Sequence, residues 1–208
     1  MSYGKFISIE GVDGAGKSTH LSFILDYLKA HHVAKNIVSC REPGGTAVGE
    51  AIRKLWLDAD KMDDITELLL IFAARQQIIS EVIVPAIHQG DWVVSDRFVE
   101  ASFAYQGAGR QLGVERVKTL YSLLHNPLKT DLTIIFDVPF AVARERLAKV
   151  RSKDRIEQES DEFFLRVQEA YHQLAKDEPN RIKMVSTEGS IEDTQAQLVT
   201  ILDNFLRG

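Results

Sequence analysis

A chain of 208 residues is of single-domain size, and its 45% hydrophobic and 26% charged content is that of an ordinary globular protein with a sizeable core. The 25 Lys and Arg residues are outnumbered by 30 Asp and Glu residues, and the formal charge of -5 argues against nucleic acid or an anionic membrane as a partner. Cys40 is the only cysteine, which excludes an internal disulfide framework, and without a run of about 18 apolar residues we expect a cytoplasmic protein with no membrane span.

Short runs rich in β-branched and aromatic residues alternate with longer segments of helical periodicity. This alternation is typical of a parallel sheet with helices on both faces, and the fold class is therefore α/β. The predicted strands are residues 5–10, 36–40, 92–96, 132–137 and 181–185. The predicted helices are residues 17–31, 47–57, 65–88, 114–124, 141–150, 161–176 and 191–206. Pro85 is expected to kink the third helix, because it has no backbone N–H to donate.

A glycine-rich loop, GVDGAGKST, directly follows the first predicted strand and precedes an amphipathic helix. Four residues separate Gly11 from Gly16-Lys17-Ser18, which is the P-loop pattern in its required setting. The glycines bring backbone N–H groups close to phosphate oxygens, Lys17 adds a full charge, and the Ser18 hydroxyl is suited to Mg²⁺. A plain glycine turn would not account for Gly-Lys-Ser-Thr at a helix entry. The residues expected to bind ATP phosphates are Gly11, Val12, Asp13, Gly14, Ala15, Gly16, Lys17, Ser18 and Thr19.

The P-loop does not choose between a kinase, an ATPase and a GTP switch. Together with REPGG at residues 41–45, FAAR at 72–75 and the stretch from DRF to AYQGAGR at 96–110, it resembles the thymidylate kinase family along nearly the whole chain. The segment DRIEQES at 154–160 resembles the lid of bacterial members, although a solvated loop would look similar. The resemblance implies a P-loop NTPase-type domain over residues 1–208, a five-stranded parallel sheet, and a short lid at about 150–160. It also implies transfer of the γ-phosphoryl group of ATP to dTMP, with Mg²⁺, in dTTP biosynthesis.

The resemblance further assigns the groups that handle phosphate. Asp96 ends a predicted strand, so its carboxylate emerges at the ligand-binding edge of the sheet, where it is expected to reach Mg²⁺ together with Ser18. Arg97 is expected to hold the acceptor phosphate. Position 14 is Gly, where other members of the family place an arginine that reaches the transferred phosphate. A lid arginine must then supply that charge, Arg155 as the first choice and Arg151 as the second, with a surface ion-pair cluster as the competing reading.

The acceptor nucleoside is expected to contact a second group of residues. Arg75 resembles the arginine that fixes the nucleotide from the base side, Gln106 the residue at the thymine edge, and Tyr105 the one packed against the sugar. Phe72 is the predicted base platform, but relatives place this aromatic where the present chain has Ile71, so a core role stays open. Asp13 is expected to accept from the 3′-hydroxyl. Ser102 aligns with a small polar residue near the base, Pro43 shapes a turn beside the acceptor site, and Arg41 and Arg53 are weaker candidates. Arg146 is expected to lie over the adenine of ATP.

Two other classes stay open beside this reading. One is another nucleoside or nucleoside monophosphate kinase on the same scaffold, and the other is a non-catalytic nucleotide-binding or switch protein. A guanine-binding switch is disfavoured because no Asn-Lys-x-Asp signature is present. The resemblance also implies a homodimer, with contacts on the predicted helix 65–88 and on the helix after Val114. Burial in the core would explain the apolar faces of these helices equally well.

Overall fold

The structure, a computed structural model, describes residues 3–124, 128–148 and 154–207. Its sheet has five strands, all parallel, in the order β2-β3-β1-β4-β5. The strands are β1 (Phe6–Glu10), β2 (Ile37–Arg41), β3 (Trp92–Asp96), β4 (Leu132–Asp137) and β5 (Ile182–Ser186). The predicted fold class is therefore confirmed, and the predicted strand bounds differ from the observed ones by at most one residue.

Helices connect the strands, and each of the predicted ones has a counterpart in the structure. They are α1 (Lys17–Ala30), α2 (Ala47–Asp58), α3 (Asp64–Ile78), α4 (Val84–His88), α5 (Val99–Ser102), α6 (Val114–Ser122), α7 (Phe140–Ala148), α8 (Asp161–Asp177) and α9 (Ile191–Arg207). The short helix α5 and the π-helical segment Phe103–Gly109 that follows it were not predicted. A second π-helical segment, Ile79–Ile83, joins α3 to α4 immediately before Pro85, where the proline cannot continue the α-helical hydrogen bonding.

The central strand β1 is buried along its whole length and faces two hydrophobic clusters. Ile7 and Ile9 pack into the cluster that includes residues of α1, α8 and α9, whereas Phe6 belongs to the cluster formed with the end of α3 and with Phe98. Because side chains alternate between the faces of a strand, Glu10 emerges on the same side as Phe6. The last residue of β1 thus brings a buried carboxylate to the edge of the sheet at which the P-loop begins.

The continuous stretch Asp64–His88 is long and apolar enough to cross a membrane, judged by length and composition alone. It is instead a core helix of this fold. Leu68, Ile71 and Phe72 are buried, and the charged side chains of Glu67 and Arg75 on the same helix are buried as well, each with ionic partners inside the molecule. Paired charges of this kind suit a protein interior, where an isolated charge would be very costly.

Candidate active site

The P-loop residues 11–16 connect β1 to α1, which begins at Lys17. The Nζ atom of Lys17 donates to the carbonyl oxygens of Gly11 and Val12 at 2.9 and 3.1 Å, and lies 3.5 Å from Oδ1 of Asp13. The ammonium group is buried, and this burial lowers the pKa of Lys17 despite the nearby carboxylates. A buried cation held only by loop oxygens is well prepared to exchange them for phosphate oxygens.

Gly14 is in close contact with α7. Its φ is +82°, and a Cβ atom at this position would lie 2.5 Å from the carbonyl oxygen of Ala143. Any side chain would therefore require a left-handed backbone and a displacement of α7. The missing P-loop arginine is thus explained by packing, since the backbone of α7 occupies the space through which that side chain would leave.

Two adjoining cavities open at the carboxyl edge of the sheet. The larger one, of about 580 Å³, is lined by the P-loop, the start of α1, α7 and the segment after β5, and the smaller one, of about 230 Å³, by residues of α2, α3, α5 and the π-helical segment 103–109. Four residues line both cavities, and they are Asp13, Glu42, Arg53 and Arg97. Ligands in the two cavities would meet at this shared wall, where two of the four side chains are cationic.

Arg97 is the most highly connected residue of the shared wall. It follows β3 directly and has a φ of +71°, which is rare for a residue with a side chain. Its guanidinium donates to the carbonyl of Gly11 at 3.0 Å, to Oδ1 of Asp13 at 2.6 Å and to the Tyr105 hydroxyl at 3.3 Å, and it lies 4.9 Å from the centroid of the Tyr105 ring. Strained backbone of this kind is found where the surroundings enforce it, commonly at functional sites.

Asp13 carries the counter-charge for both cations. Burial by itself would raise its pKa, but the charges of Arg97 and Lys17, together with their hydrogen bonds, outweigh burial and hold the pKa of Asp13 well below its usual range. The group is therefore ionised at neutral pH. An ionised carboxylate between two cations is a hydrogen-bond acceptor, as the predicted contact with a sugar hydroxyl requires.

Asp96 and Ser18 line the larger cavity together with Lys17. The Oδ1 atom of Asp96 is buried and has no hydrogen-bond partner among the described residues. An unpaired buried carboxylate oxygen and a hydroxyl group in the same cavity are donors that suit a hard cation. The chemistry of the two residues is therefore compatible with Mg²⁺, and their role as metal ligands stays a prediction.

Arg75 lies in the wall of the smaller cavity with every nitrogen engaged. Its Nε donates to Oε2 of Glu42 at 2.7 Å, Nη1 to the Ser102 hydroxyl at 2.9 Å and Nη2 to the carbonyl of Phe98 at 3.0 Å. Burial raises the pKa of Glu42 to about 6 even though Arg75 acts in the opposite direction. The buried charge of Arg75 is therefore compensated inside the protein, and Glu42, which sequence reasoning did not single out, is the residue that compensates it.

The acceptor-side prediction for Phe72 is corrected by the structure. Ile71 lines the smaller cavity, together with Tyr105, Gln106, Ser102 and Pro43. Phe72 shares a buried cluster with Ile71, Leu68 and Val117 but does not line the cavity, and its ring is in edge contact with Tyr121. The reason is geometric, because neighbouring residues of a helix point about 100° apart. Phe72 reaches the site only indirectly, by packing 4.8 Å from the guanidinium of Arg75.

Glu67 of α3 accepts hydrogen bonds from three side chains, one of which, Gln106, lines the smaller cavity. Its carboxylate is fully buried and accepts from Nε2 of Gln106 at 2.8 Å, from Arg110, and from Nη2 of Arg155 at 2.6 Å. Burial would raise the pKa of Glu67, but the positive charge of Arg110 and the hydrogen bonds lower it. Arg155 lines neither cavity, while its neighbours Asp154 and Ile156 line the smaller one. Within the described part of the predicted lid, residues 154–160, the first-choice arginine is thus bound to Glu67 of α3.

Arg146 lies in the larger cavity beside the segment that follows β5. It donates to the carbonyl of Thr187 at 2.7 Å and to that of Gly14 at 3.3 Å, so that it bridges the P-loop and the start of the β5–α9 connection. His20 lies close by, with its ring stacked on Phe136. Arg146 therefore lies in the same cavity as the P-loop, and its contact with the adenine of ATP stays a prediction.

The remaining predicted residues lie in different places. Arg53 donates to the carbonyl of Pro43 at 2.9 Å and belongs to the shared wall. Arg41, at the end of β2, lines only the larger cavity and pairs with Glu50 of α2 at the surface, so its assignment to the acceptor side is not supported. Val12 and Ala15 are buried core residues of the loop. Arg151, the second-choice lid arginine, lies outside the described residues.

Comparison with known proteins completes the description of this site. The sequence model described as thymidylate kinase matches residues 9–198. The thymidylate kinase of Thiobacillus denitrificans is 48% identical over 202 residues, covering 97% of this chain and 98% of the relative, and that of Bordetella pertussis is 49% identical over 195 residues, covering 94% and 92%. A crystal structure of thymidylate kinase from Ehrlichia chaffeensis superposes with a TM-score of 0.79 at 29% identity, over 97% of this chain and 99% of that one.

Proposed function

Because the chain belongs to the thymidylate kinase family and phosphorylates dTMP to dTDP with ATP, we propose that ATP binds in the larger cavity and dTMP in the smaller one. The observation that carries this assignment is the shared wall, where Arg97 and Asp13 face both cavities. The γ-phosphoryl group would approach this wall from the P-loop side. The phosphate of dTMP would approach it from the other side, next to Arg97.

On the donor side, the P-loop amides and Lys17 hold the β- and γ-phosphates, and Arg146 covers the adenine. The support for Lys17 is that its ammonium group is buried and that, among the residues the structure describes, no carboxylate is closer to it than 3.5 Å, which leaves its charge available to an anion. Mg²⁺ would be held by Ser18 and Asp96, where it neutralises phosphate charge and orients the triphosphate. The unpaired Oδ1 atom of Asp96 is the structural feature that supports this metal position.

On the acceptor side, Arg97 holds the phosphate of dTMP, and Asp13 accepts a hydrogen bond from the 3′-hydroxyl. Nη2 of Arg97 and Oδ1 of Asp13 form an ion pair at 2.6 Å, so binding of dTMP exchanges part of this ion pair for contacts with the ligand. Tyr105 packs against the sugar and crowds a 2′-hydroxyl, which favours deoxyribose. Gln106 keeps its carbonyl oxygen for the edge of the thymine, since its amide nitrogen is committed to Glu67.

The transfer itself needs no dedicated general base. A phosphate monoester is already largely ionised at neutral pH, so the protein must align the two phosphates, neutralise charge and exclude water. Arg97 and Lys17 supply positive charge from opposite sides, both donating at present to the carbonyl of Gly11. The lid at about 150–160 excludes water by closing over the substrates, which keeps ATP from being hydrolysed.

A lid arginine remains part of this proposal. In the present arrangement Arg155 is bound to Glu67 and to the carbonyl of Trp56, so a direct role at the phosphates requires it to leave these partners. Its contacts support a second role, in which Arg155 fastens the lid to α3 beside the acceptor cavity. Both roles predict a loss of activity without Arg155, but only the second predicts a lid that is loosened in the absence of ATP.

We also propose that the protein is a homodimer with a single thymidylate kinase-like domain per chain. Ile65 and Leu69 are exposed apolar side chains four residues apart on α3, so they share one face of that helix, and Leu123 is exposed just beyond α6. These are the helices on which the sequence placed a dimer contact. Light scattering of the parent and of a Leu69→Glu variant tests this, and a parent that stays monomeric at micromolar concentration would contradict it.

An acceptor panel tests the proposed function directly. Release of ADP from ATP and Mg²⁺ is measured with dTMP, dUMP, UMP, CMP and thymidine, and with no acceptor. We expect the highest kcat/KM with dTMP and little release without an acceptor. A preference for another monophosphate would favour a different kinase on this scaffold, and release that is independent of the acceptor would favour a nucleotide-binding protein that hydrolyses ATP.

A further inference from the structure

The wall of the smaller cavity contains an aromatic residue to which the sequence gave no role. Trp56 lies near the end of α2 and lines this cavity together with Ile71, Tyr105 and Gln106. It is partly buried and packs against two separate hydrophobic clusters, the one formed mainly with α1, α8 and α9 and the one that contains Phe72. The side chain is therefore held in place at the boundary between the core and the cavity.

We propose that Trp56 is a specificity-determining residue of the acceptor site, which supplies the aromatic surface against which the thymine packs. This inference rests on the proposed binding of dTMP in the smaller cavity. An aromatic platform was expected from Phe72, but that ring is buried behind the wall and Ile71 occupies its place. The other aromatic ring in the lining, Tyr105, lies against the guanidinium of Arg97 at 4.9 Å, at the phosphate end of the cavity. Trp56 is the aromatic side chain in the lining that remains for the base.

Two further contacts support a ligand beside Trp56. Its indole nitrogen is buried and has no hydrogen-bond partner among the described residues, which indicates that this surrounding is incomplete without a bound molecule or an ordered water. Arg155 from the lid segment lies over the indole ring at 6.0 Å and donates to the Trp56 carbonyl. The indole thus lies between the lid and the cavity, in a position to respond to whatever fills the cavity.

Fluorescence tests the contact, because the chain has only two tryptophans. Trp92 is at the start of β3, opposite to the ligand-binding edge, and packs against Phe205 at 5.8 Å. In a Trp92→Phe variant the emission therefore comes from Trp56 alone. We expect dTMP to change this emission saturably, with the Kd that calorimetry gives, whereas deoxyribose 5-phosphate, which lacks the base, changes it far less. The Trp56→Phe variant, which retains Trp92, should show almost no response to dTMP.

Kinetics tests the role in specificity. Stacking between a base and an aromatic side chain predicts that Trp56→Leu raises the KM for dTMP about tenfold or more, with a smaller change in kcat and an unchanged KM for ATP. Trp56→Phe should recover part of this loss, and thermal unfolding shows whether each variant is folded. Calorimetric binding of dTMP without any change in Trp56 emission, or an unchanged KM for dTMP in a folded Trp56→Leu, would overturn the inference. Failure of the parent to bind dTMP would overturn the proposed function and this inference with it.

Discussion

Glu42 holds Arg75 through one carboxylate oxygen, Oε2, while its other oxygen, Oε1, is buried without a partner among the described residues. The side chains of both residues are only 2% exposed. Burial of an ion pair gives little net stability, but removal of one partner leaves a charge that neither water nor protein compensates. The ion pair with Glu42 therefore holds Arg75 in place in the wall of the smaller cavity.

Glu42→Gln should weaken that arrangement. Gln keeps an oxygen for Nε of Arg75 but removes the compensating charge, so we expect the free energy of unfolding to fall by about 2–4 kcal/mol and the KM for dTMP to rise about tenfold. Glu50→Gln is the matched control, since Glu50 pairs with Arg41 at the surface, where loss of an ion pair costs about 1 kcal/mol or less. Urea unfolding and steady-state kinetics measure both effects. Equal effects of the two substitutions would contradict the special position of Glu42.

Arg97→Lys should be nearly inactive, although it keeps the charge. The guanidinium contacts Gly11, Asp13 and Tyr105 at once, a geometry that a lysine ammonium cannot reproduce. We expect kcat/KM for dTMP to fall by about 10³ or more, as for arginines that stabilise a transferred phosphoryl group. Arg116→Ala, at an exposed position of α6, serves as the control and should behave like the parent. Activity of Arg97→Lys within tenfold of the parent would remove Arg97 from its proposed role.

Gly14→Ala tests the packing of the P-loop against α7. The variant combines a positive φ with a Cβ atom 2.5 Å from the carbonyl of Ala143, and we expect both a loss of stability and a loss of ATP binding. Gly113→Ala isolates the backbone effect, because Gly113 has a φ of +89° and an added Cβ would meet nothing within 4 Å. This control should cost only about 1–2 kcal/mol and leave ATP binding intact. Calorimetry with ATP and Mg²⁺ distinguishes the two variants. Identical titrations would show that α7 can move to accommodate the added Cβ atom without loss of ATP binding.

Arg155→Ala should loosen the lid. Loss of the bond to Glu67 frees residues 154–160 from α3, so their amide hydrogens should exchange faster in the absence of nucleotide. Turnover should fall by at least tenfold, while the melting temperature changes little, since Gln106 and Arg110 still donate to Glu67. Hydrogen exchange followed by mass spectrometry and steady-state kinetics are the measurements. Unchanged turnover would exclude both roles of Arg155, and lost turnover with unchanged exchange would favour the direct role at the phosphates.

Glu10 should make the stability of the fold depend on pH. Burial and the neighbouring Glu100 raise the pKa of Glu10 to about 8 from an ordinary 4.5, so the folded state binds a proton that the unfolded state releases over this range. The free energy of unfolding is therefore highest near pH 5 and falls as the pH rises to 8, by on the order of 2–4 kcal/mol. Glu42, with its pKa raised to about 6, contributes with the same sign at the lower end of the range.

The matched substitution is Glu10→Gln, which stays neutral at every pH. It can still accept from the backbone N–H of Phe98, and the Tyr171 hydroxyl can reverse its hydrogen bond. Urea unfolding of the parent and the variant at several pH values between 5 and 8 should show a much steeper slope in the parent, with only the smaller contribution of Glu42 left in the variant at the lower end of the range. A parallel slope in both proteins would show that Glu10 does not titrate in this range.

Much of the fold and part of the site could be predicted from the sequence. Buried parallel strands are continuous apolar runs, so β3 and β4 were predicted with their observed bounds. The P-loop is equally readable, because its glycines, Lys17 and Ser18 are adjacent in the chain. Arg97 and Arg146 were singled out by the family resemblance, and the structure has both in the cavity linings at this edge of the sheet.

The residues that were missed share a physical reason. Glu42 and Glu67 look like ordinary polar residues of a loop and a helix, and only the three-dimensional structure shows that buried arginines surround them. Trp56 fits the apolar periodicity of α2, so the sequence predicts a core residue at this position. Ile71 and Phe72 are adjacent on α3 and therefore point in different directions. Because all five residues of the stretch LLLIF are apolar, the sequence does not show which of the two faces the cavity. The π-helical segment 103–109 has no periodicity signal of its own, because it is shorter than two helical turns.

The order of strands has a consequence for how this enzyme can change. With β1 in the middle, the smaller cavity, in which we propose that dTMP binds, lies mainly on the flank of β2 and β3, while Arg146 and Thr187 in the proposed ATP cavity come from the flank of β4 and β5. Under this proposal, mutations that change the choice of acceptor nucleoside can accumulate on one flank while Arg146 and Thr187 on the opposite flank stay unchanged. The preference for the acceptor can therefore change without changes in the part of the protein that is proposed to bind ATP.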